Sequence, residues 1–316
     1  MYQDFLGTVP EEPTNLDEEG SWGKAAHVWM QFEFDALAVA GYSGRPLLVR
    51  GEPGSGKSQI ARAAARLLNW RFDYEVISPR LEPQDLLWRY DAVRRLAQSH
   101  RGDPGDDEQY VTPGLLWRAL DPVGAAALGP ESTRPEQIDE RPCVVLLDEI
   151  DKADADLPNS LLEVLGNRGF KTPWGQVPSK AGPARPGPLV VITSNNEREL
   201  PLAFMRRCVV LDLLVPDENA ADGSFEAWLI ARGTSQFGDL LPSEVIAEAA
   251  RLVRADRKAS PEGQGARPGL AEYLDLLRAL STIAAADPAT SSLDLLRRLS
   301  PYVLRKQGQP QSARPA

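Results

Sequence analysis

The chain has little of what metal enzymes, secreted proteins and membrane proteins depend on. Its 316 residues hold only two histidines, His27 and His100, and no HExxH pattern. A histidine-ligated metal enzyme is therefore not expected. The two cysteines, Cys143 and Cys208, lie far apart and form no CxxC pair. They read as reduced, buried thiols of a cytoplasmic protein. No apolar run approaches the ~20 residues that a membrane span needs. The first residues, MYQDFLGTVPEEP, are acidic and lack an apolar core, so no signal peptide is expected. Basic residues are in deficit, 35 against 45 acidic ones, for a net charge of −10. Affinity for phosphate backbones rests on Lys and Arg displacing counterions, so this balance argues against direct nucleic-acid binding.

What is present alternates. Arg45-Pro-Leu-Leu-Val-Arg50 reads as a short buried strand, and Ser58 to Trp70 carries apolar residues at helical spacing. Arg71–Ile77, Val144–Leu147, Leu189–Thr193 and Val209–Val215 read as further strands. The spacing predicts helices over 25–39, 80–100 and 157–165, and a hairpin over 170–177. After Pro216 only helical patterns follow, at 225–232, 243–255, 270–284 and 292–299, with Ser243 as a candidate N-cap. Strands alternating with helices, then helices alone, predict an α/β domain with a parallel sheet followed by a small all-α domain. The boundaries expected are a disordered acidic leader over 1–22, the α/β domain over 23–217, the helical domain over 218–306 and a disordered tail over 307–316.

Two motifs carry chemistry. Gly51-Glu52-Pro53-Gly54-Ser55-Gly56-Lys57-Ser58 fits G-x-x-x-x-G-K-[ST], between a predicted strand and a predicted helix. Glycines let successive backbone N–H groups turn onto an anion, and the helix offers its positive N-terminus. Lys57 would reach the β and γ phosphates and Ser58 would give a hydroxyl to Mg²⁺. Downstream, the strand Cys143-Val-Val-Leu-Leu-Asp-Glu-Ile-Asp151 ends in carboxylates. Asp148 is the candidate metal residue beside Ser58, and Glu149 the candidate for orienting an attacking water. A strand that merely ends in solvated acids is the bland reading of that second motif, and its pairing with the phosphate loop argues against it.

These two motifs, followed by Val190-Val-Ile-Thr-Ser-Asn-Asn196, resemble Walker A, Walker B and sensor 1 of AAA+ ATPases. Leu200-Pro-Leu-Ala-Phe-Met-Arg-Arg-Cys208 resembles the LPxAxxxRF stretch of the MoxR-like branch. Asp85-Leu-Leu-Trp-Arg-Tyr90, Thr112-Pro-Gly-Leu-Leu116, Asp148-Glu-Ile-Asp-Lys-Ala153 and Leu161-Leu-Glu-Val-Leu165 are similar to that branch too. The resemblance covers about residues 45 to 217 and reaches the helical part only loosely.

It implies hydrolysis of ATP with Mg²⁺ by a ring, expected to be a hexamer, that remodels a client protein. A partner with a von Willebrand factor A domain is expected by analogy. Asn195 would be the sensor 1 group and Arg207, with Arg206 beside it, an arginine finger acting in the next subunit. Arg267, in Gly265-Ala-Arg-Pro-Gly-Leu270, would be sensor 2, although the family's Ser-Pro-Arg is not reproduced here. Tyr90, Trp117 and Trp174 lie in segments that resemble partner-contacting insertions, but packed aromatics are the default. Three other readings stand beside this one: a McrB-like, nucleic-acid-associated subunit using GTP, an adaptor that binds ATP with little turnover, and a small-molecule kinase.

Overall fold

The computed structural model describes residues 2–20, 22–102, 105–154, 156–167, 169–173, 175–178, 186–260, 267–287 and 290–304. Trp174 and the tail from 307 onward, both singled out above, lie outside the described residues. The chain divides into two compact units. The first comprises Met1–Pro10, Trp29–Gly51 and Lys57–Asp212; the second comprises Glu11–Val28, Glu52–Gly56 and Leu213–Ala316.

In chain order the elements begin with β1 (Thr14–Leu16), β2 (Ala25–His27), α1 (Gln31–Ser43), β3 (Leu47–Gly51), α2 (Lys57–Leu68) and β4 (Arg71–Val76). Next come β5 (Trp88–Tyr90), α3 (Ala92–Ser99), β6 (Val111–Pro113), α4 (Leu115–Leu120), α5 (Pro122–Ala126) and β7 (Cys143–Asp148). They continue with α6 (Asp156–Asn167), β8 (Gly169–Thr172), β9 (Gly175–Pro178), β10 (Leu189–Ser194), α7 (Leu202–Met205) and β11 (Val209–Leu213). The last four are helices: α8 (Ser224–Phe237), α9 (Ser243–Ala259), α10 (Leu270–Ala286) and α11 (Ser292–Leu304).

The first unit is built on a five-stranded sheet in the order β11-β3-β10-β7-β4. β3, β10, β7 and β4 run parallel, with Val191 opposite Leu47 and Leu146, and Tyr74 opposite Leu146. The unbroken apolar runs of β7 and β10 are explained by their central place, where both faces of a strand are covered. β7 joins α4, α6 and Ile150 in one core that includes Leu116, Trp117, Val145, Leu147, Leu161 and Phe204. Helix α2 buries Ile60 together with Ala61, Ala63 and Ala64, whose small side chains let it lie close on the sheet. The predicted strands and the hairpin, β8–β9, are therefore present.

The second unit contains the four C-terminal helices. Its core joins Phe225 and Leu229 of α8, Val245, Ile246 and Val253 of α9, Tyr273 and Leu277 of α10, and Leu296 of α11. Gly233 of α8 lies so close to α10 that a Cβ there would run into the Tyr273 hydroxyl. Burial pushes the Tyr273 phenol well above its ordinary range, and its hydroxyl donates to the Ile246 carbonyl at 3.1 Å. This unit starts at Leu213 and also takes in Glu11–Val28, with the β1–β2 pair.

Several expectations need correcting. Residues 25–39 do not form one helix: 25–27 are strand β2 and the helix starts at Gln31, where Glu33 reaches back to the Met30 amide at 2.9 Å. The 80–100 segment is broken, with β5 between a short 3-10 turn and α3, because Trp88–Tyr90 pairs with Val111–Pro113. Ser243 is the first helical residue, and Pro242 stands at the cap.

The acidic leader also has structure where a mobile segment was expected. Tyr2 and Phe5 are buried, and Phe5 sits edge-on to Phe34 at 5.4 Å, with Trp29 at 6.4 Å. Two aromatic anchors outweigh an acidic composition because each ring removes a large apolar area from water. Phe5→Ala is expected to cost about 3 kcal/mol of stability. Urea unfolding checks this, and an unchanged midpoint would return 1–10 to the status of a loose leader.

Candidate functional site

At the carboxyl ends of β7 and β10, six side chains converge. The Ser58 hydroxyl, in the first turn of α2, donates to Asp148 Oδ1 at 2.7 Å. The Thr193 hydroxyl donates to the same oxygen at 2.5 Å and accepts the Glu149 backbone N–H at 2.9 Å. Asn195 Nδ2 donates to Glu149 Oε1 at 3.2 Å. Lys152 Nζ donates to Glu149 Oε2 at 2.5 Å. Each Glu149 oxygen thus has its own donor. The hydrogen bond to the Glu149 carboxylate raises the Lys152 ammonium above its ordinary pKa, so Lys152 stays a charged donor.

The backbone aims these groups. Glu149 has φ 62°, in the left-handed region that non-glycine residues seldom occupy. Such a conformation costs of order 1–3 kcal/mol and persists where surrounding contacts enforce it. Here the enforcing contacts are the Thr193 hydroxyl on its amide and the two donors on its carboxylate. Asn196, at φ 59°, makes a similar bend beyond β10. Buried Asp151 holds that bend, since its Oδ2 accepts the amides of Asn195 at 3.1 Å and Glu197 at 2.9 Å.

Lys57 is buried, and its ammonium donates to the Gly51 carbonyl at 2.9 Å. Residues Glu52–Gly56, the middle of the glycine-rich loop, group with the second unit. Gly54 and Gly56 have φ of 74° and 97°, the conformations for which the motif needs glycine. Within that unit the Glu52 carboxylate accepts from the Arg257 guanidinium at 2.7 and 2.8 Å. Arg267 bonds Glu218 and the Arg257 carbonyl, and is engaged there in this structure.

Arg206 and Arg207 follow α7, with exposed side chains that have no partner among the described residues. Their backbone is pinned. Arg45 donates to the carbonyls of Arg207 at 3.0 Å and Cys208 at 3.1 Å, and also to that of Arg206. The aromatic candidates are packed: Trp117 is buried edge-on to Phe170 at 5.3 Å, and half-buried Tyr90 donates to Asp107 at 2.9 Å. Both thiols are buried, which pushes Cys143 up to about 12 and Cys208 up to about 11. Neither cysteine is a nucleophile at neutral pH.

Sequence reasoning missed Thr193, Lys152, Asp151 and Arg45. Asp151 and Lys152 sit two and three residues past Glu149, but spacing alone does not show which carboxylate binds backbone and which faces solvent. Thr193 lay in full view in the 190–196 run, yet a hydroxyl at a strand end has many bland uses.

Within the first unit, the arrangement brings Lys57 and Ser58, the last residues of the phosphate-loop sequence, and the carboxylates of Asp148 and Glu149 to one end of a parallel sheet, with the Ser58 hydroxyl on Asp148. That defines a nucleotide-binding fold of the P-loop class. The chain belongs to the AAA domain family, dynein-related subfamily, which matches residues 46–208, more than half its length. The fold is consistent with a nucleotide-hydrolysing AAA+ ATPase.

No curated protein matches the sequence. Among solved structures, a point mutant of RuvB from Thermotoga maritima is similar at 16% identity and a TM-score of 0.47, over 86% of this chain and 68% of that one. The Thermotoga maritima RuvB Holliday junction branch migration motor is similar at 15% identity and a TM-score of 0.46, over 86% of this chain and 67% of that one. Among the described residues no helix is long and apolar enough to cross a membrane.

Proposed function

We propose that this chain is a Mg²⁺-dependent ATPase of the MoxR-like kind, working as a ring whose hydrolysis cycle remodels a partner protein. The observation that carries the reading is the contact chain Ser58–Asp148–Thr193–Glu149–Asn195. The donor set suits magnesium. A hydroxyl and one carboxylate are hard oxygen ligands of the kind that Mg²⁺ takes alongside substrate phosphates. No cluster of three or more His, Cys, Asp or Glu that could cage a metal occurs among the described residues. Ser58 and Asp148 would hold the ion, which when bound offsets charge on the phosphate oxygens.

The chain's own residues then divide the work. Lys57, released from the Gly51 carbonyl, would place its charge on the β and γ phosphates, and the 51–58 loop would wrap them with backbone N–H groups. Glu149 would accept a hydrogen bond from the attacking water and orient it. Asn195 fixes one Glu149 oxygen, so the other is the one to exchange Lys152 for water. Arg207, exposed on a pinned backbone, would supply a charge to a neighbouring copy's site. Arg267 would reach a nucleotide only by exchanging Glu218 for phosphate.

Steady-state hydrolysis of ATP and GTP, with magnesium and with chelator, tests the reading. ATP turnover is expected, lost on chelation and reduced about tenfold or more by Lys57→Ala. Hydrolysis that survives Lys57→Ala would show that the loop is not the site. Preference for GTP would favour the restriction-subunit reading instead.

A further inference from the structure

The second unit contains a buried charge cluster that the hydrolysis scheme does not use. Arg257, near the end of α9, has a side chain only 4% exposed. Its guanidinium is spread over three acceptors. Nη2 donates to both Glu52 oxygens at 2.8 and 2.7 Å, Nε to Glu218 Oε2 at 3.1 Å, and Nη1 to the Pro268 carbonyl at 3.3 Å. It also lies 5.7 Å from the centre of the Phe225 ring. Arg267 takes the other Glu218 oxygen.

The charge count explains why Glu52 matters. Among the described residues, these two arginines bond two glutamates. Without Glu52, Arg257 would keep one carboxylate, that of Glu218, which it shares with Arg267, and a buried cation would be left short of counter-charge, which is costly. Burial pulls the Glu218 carboxyl up, but its own amide and the two arginines outweigh that and hold it below the ordinary range. Glu218 is thus fully committed as an anion, and Glu52 supplies the remaining charge.

Glu52 is the second residue of the glycine-rich loop, which a second contact fixes in the same unit. A Cβ on Gly54 would meet the Ala271 Cβ at 2.7 Å, so the loop backbone lies against the first turn of α10. Spanning these anchors, the Ser55 amide closes a turn onto the Glu52 carbonyl at 3.2 Å.

We propose that Arg257 is a positioning residue that latches Glu52, presetting the phosphate loop and thereby raising nucleotide affinity. The inference rests on the nucleotide-site reading above and deepens it. A loop ordered in advance spares the ligand the entropy of ordering it, so unlatching weakens binding and leaves the chemical step alone.

The test is a cycle of Glu52→Gln, Arg257→Met and the double variant in the full chain. Binding of a fluorescent ATP analogue, kcat at saturating ATP and urea unfolding without nucleotide are read for each. Glu52→Gln sits on a half-exposed side chain and keeps the fold even if Arg257→Met does not. It is expected to raise Kd roughly tenfold, a larger change than any in kcat. The double variant should be no worse than Arg257→Met alone, in Kd and in unfolding. Wild-type affinity in Glu52→Gln, or single effects that multiply, would overturn the latch. If the wild-type chain binds no nucleotide, the ATPase reading fails separately. The unfolding cycle then decides the latch: non-additive effects keep it and additive ones overturn it.

Discussion

Glu149→Gln is expected to lower ATP turnover by about 10²–10⁴-fold while nucleotide still binds. The substitution keeps size and shape, so the left-handed turn at φ 62° and the Thr193 bond to the residue 149 amide can remain. An amide oxygen can still accept from Asn195. The charge is lost, and with it the capacity to polarise a water against the γ-phosphate. The amide nitrogen would also face the Lys152 ammonium, turning an ion pair now 2.5 Å long into a contact between two donors. Single-turnover hydrolysis and equilibrium nucleotide binding, measured together, separate the two effects. Turnover near wild type would mean that Glu149 serves only as an anchor for Lys152 and Asn195. Loss of binding along with turnover would mean that the turn itself had collapsed.

The ease with which this site could be found in the sequence follows from how local its determinants are. The 51–58 loop and the 143–151 strand each announce themselves within nine residues, because glycine conformation and an apolar run have short-range signatures. β7 and β10 were legible for the same reason: strands covered on both faces leave no polar interruption. The expected helix over 80–100 failed because Trp88–Tyr90 pairs with a strand more than 20 residues later, and a window reads only its own residues. The leader failed because charge dominated its composition, while Phe5 finds Trp29 and Phe34 across the fold. The Arg257–Glu52 pair spans 205 residues, and no local pattern marks it. The same holds for Arg45, whose guanidinium meets carbonyls some 160 residues away. Short-range backbone needs were readable, whereas contacts that the fold alone creates were not.

Arg207→Ala is expected to reduce turnover by about 10³-fold if the residue completes a neighbouring copy's site, as an arginine finger can contribute 10³–10⁵. The side chain is exposed and lacks a partner among the described residues, while Arg45 holds the Arg207 carbonyl and that of Cys208 after it. A cation on a rigid stem is suited to reach a neighbour, since little entropy is lost on engagement. Arg206 shares the exposure, so Arg206→Ala serves as the comparison, with a much smaller loss expected. Mixing decides whether the effect acts in trans. Glu149→Gln lacks the water-orienting carboxylate and Arg207→Ala lacks the finger. In a mixed ring, an interface with Glu149 from one variant and Arg207 from the other is whole. Activity should then return to about a quarter of wild type at equal mixing, because a random interface draws each intact half with a probability of about one half. Specific activity should also rise with protein concentration as rings assemble. Activity that is independent of concentration, with no recovery on mixing, would place Arg207 outside catalysis and return the chain to a P-loop enzyme that works as a single copy.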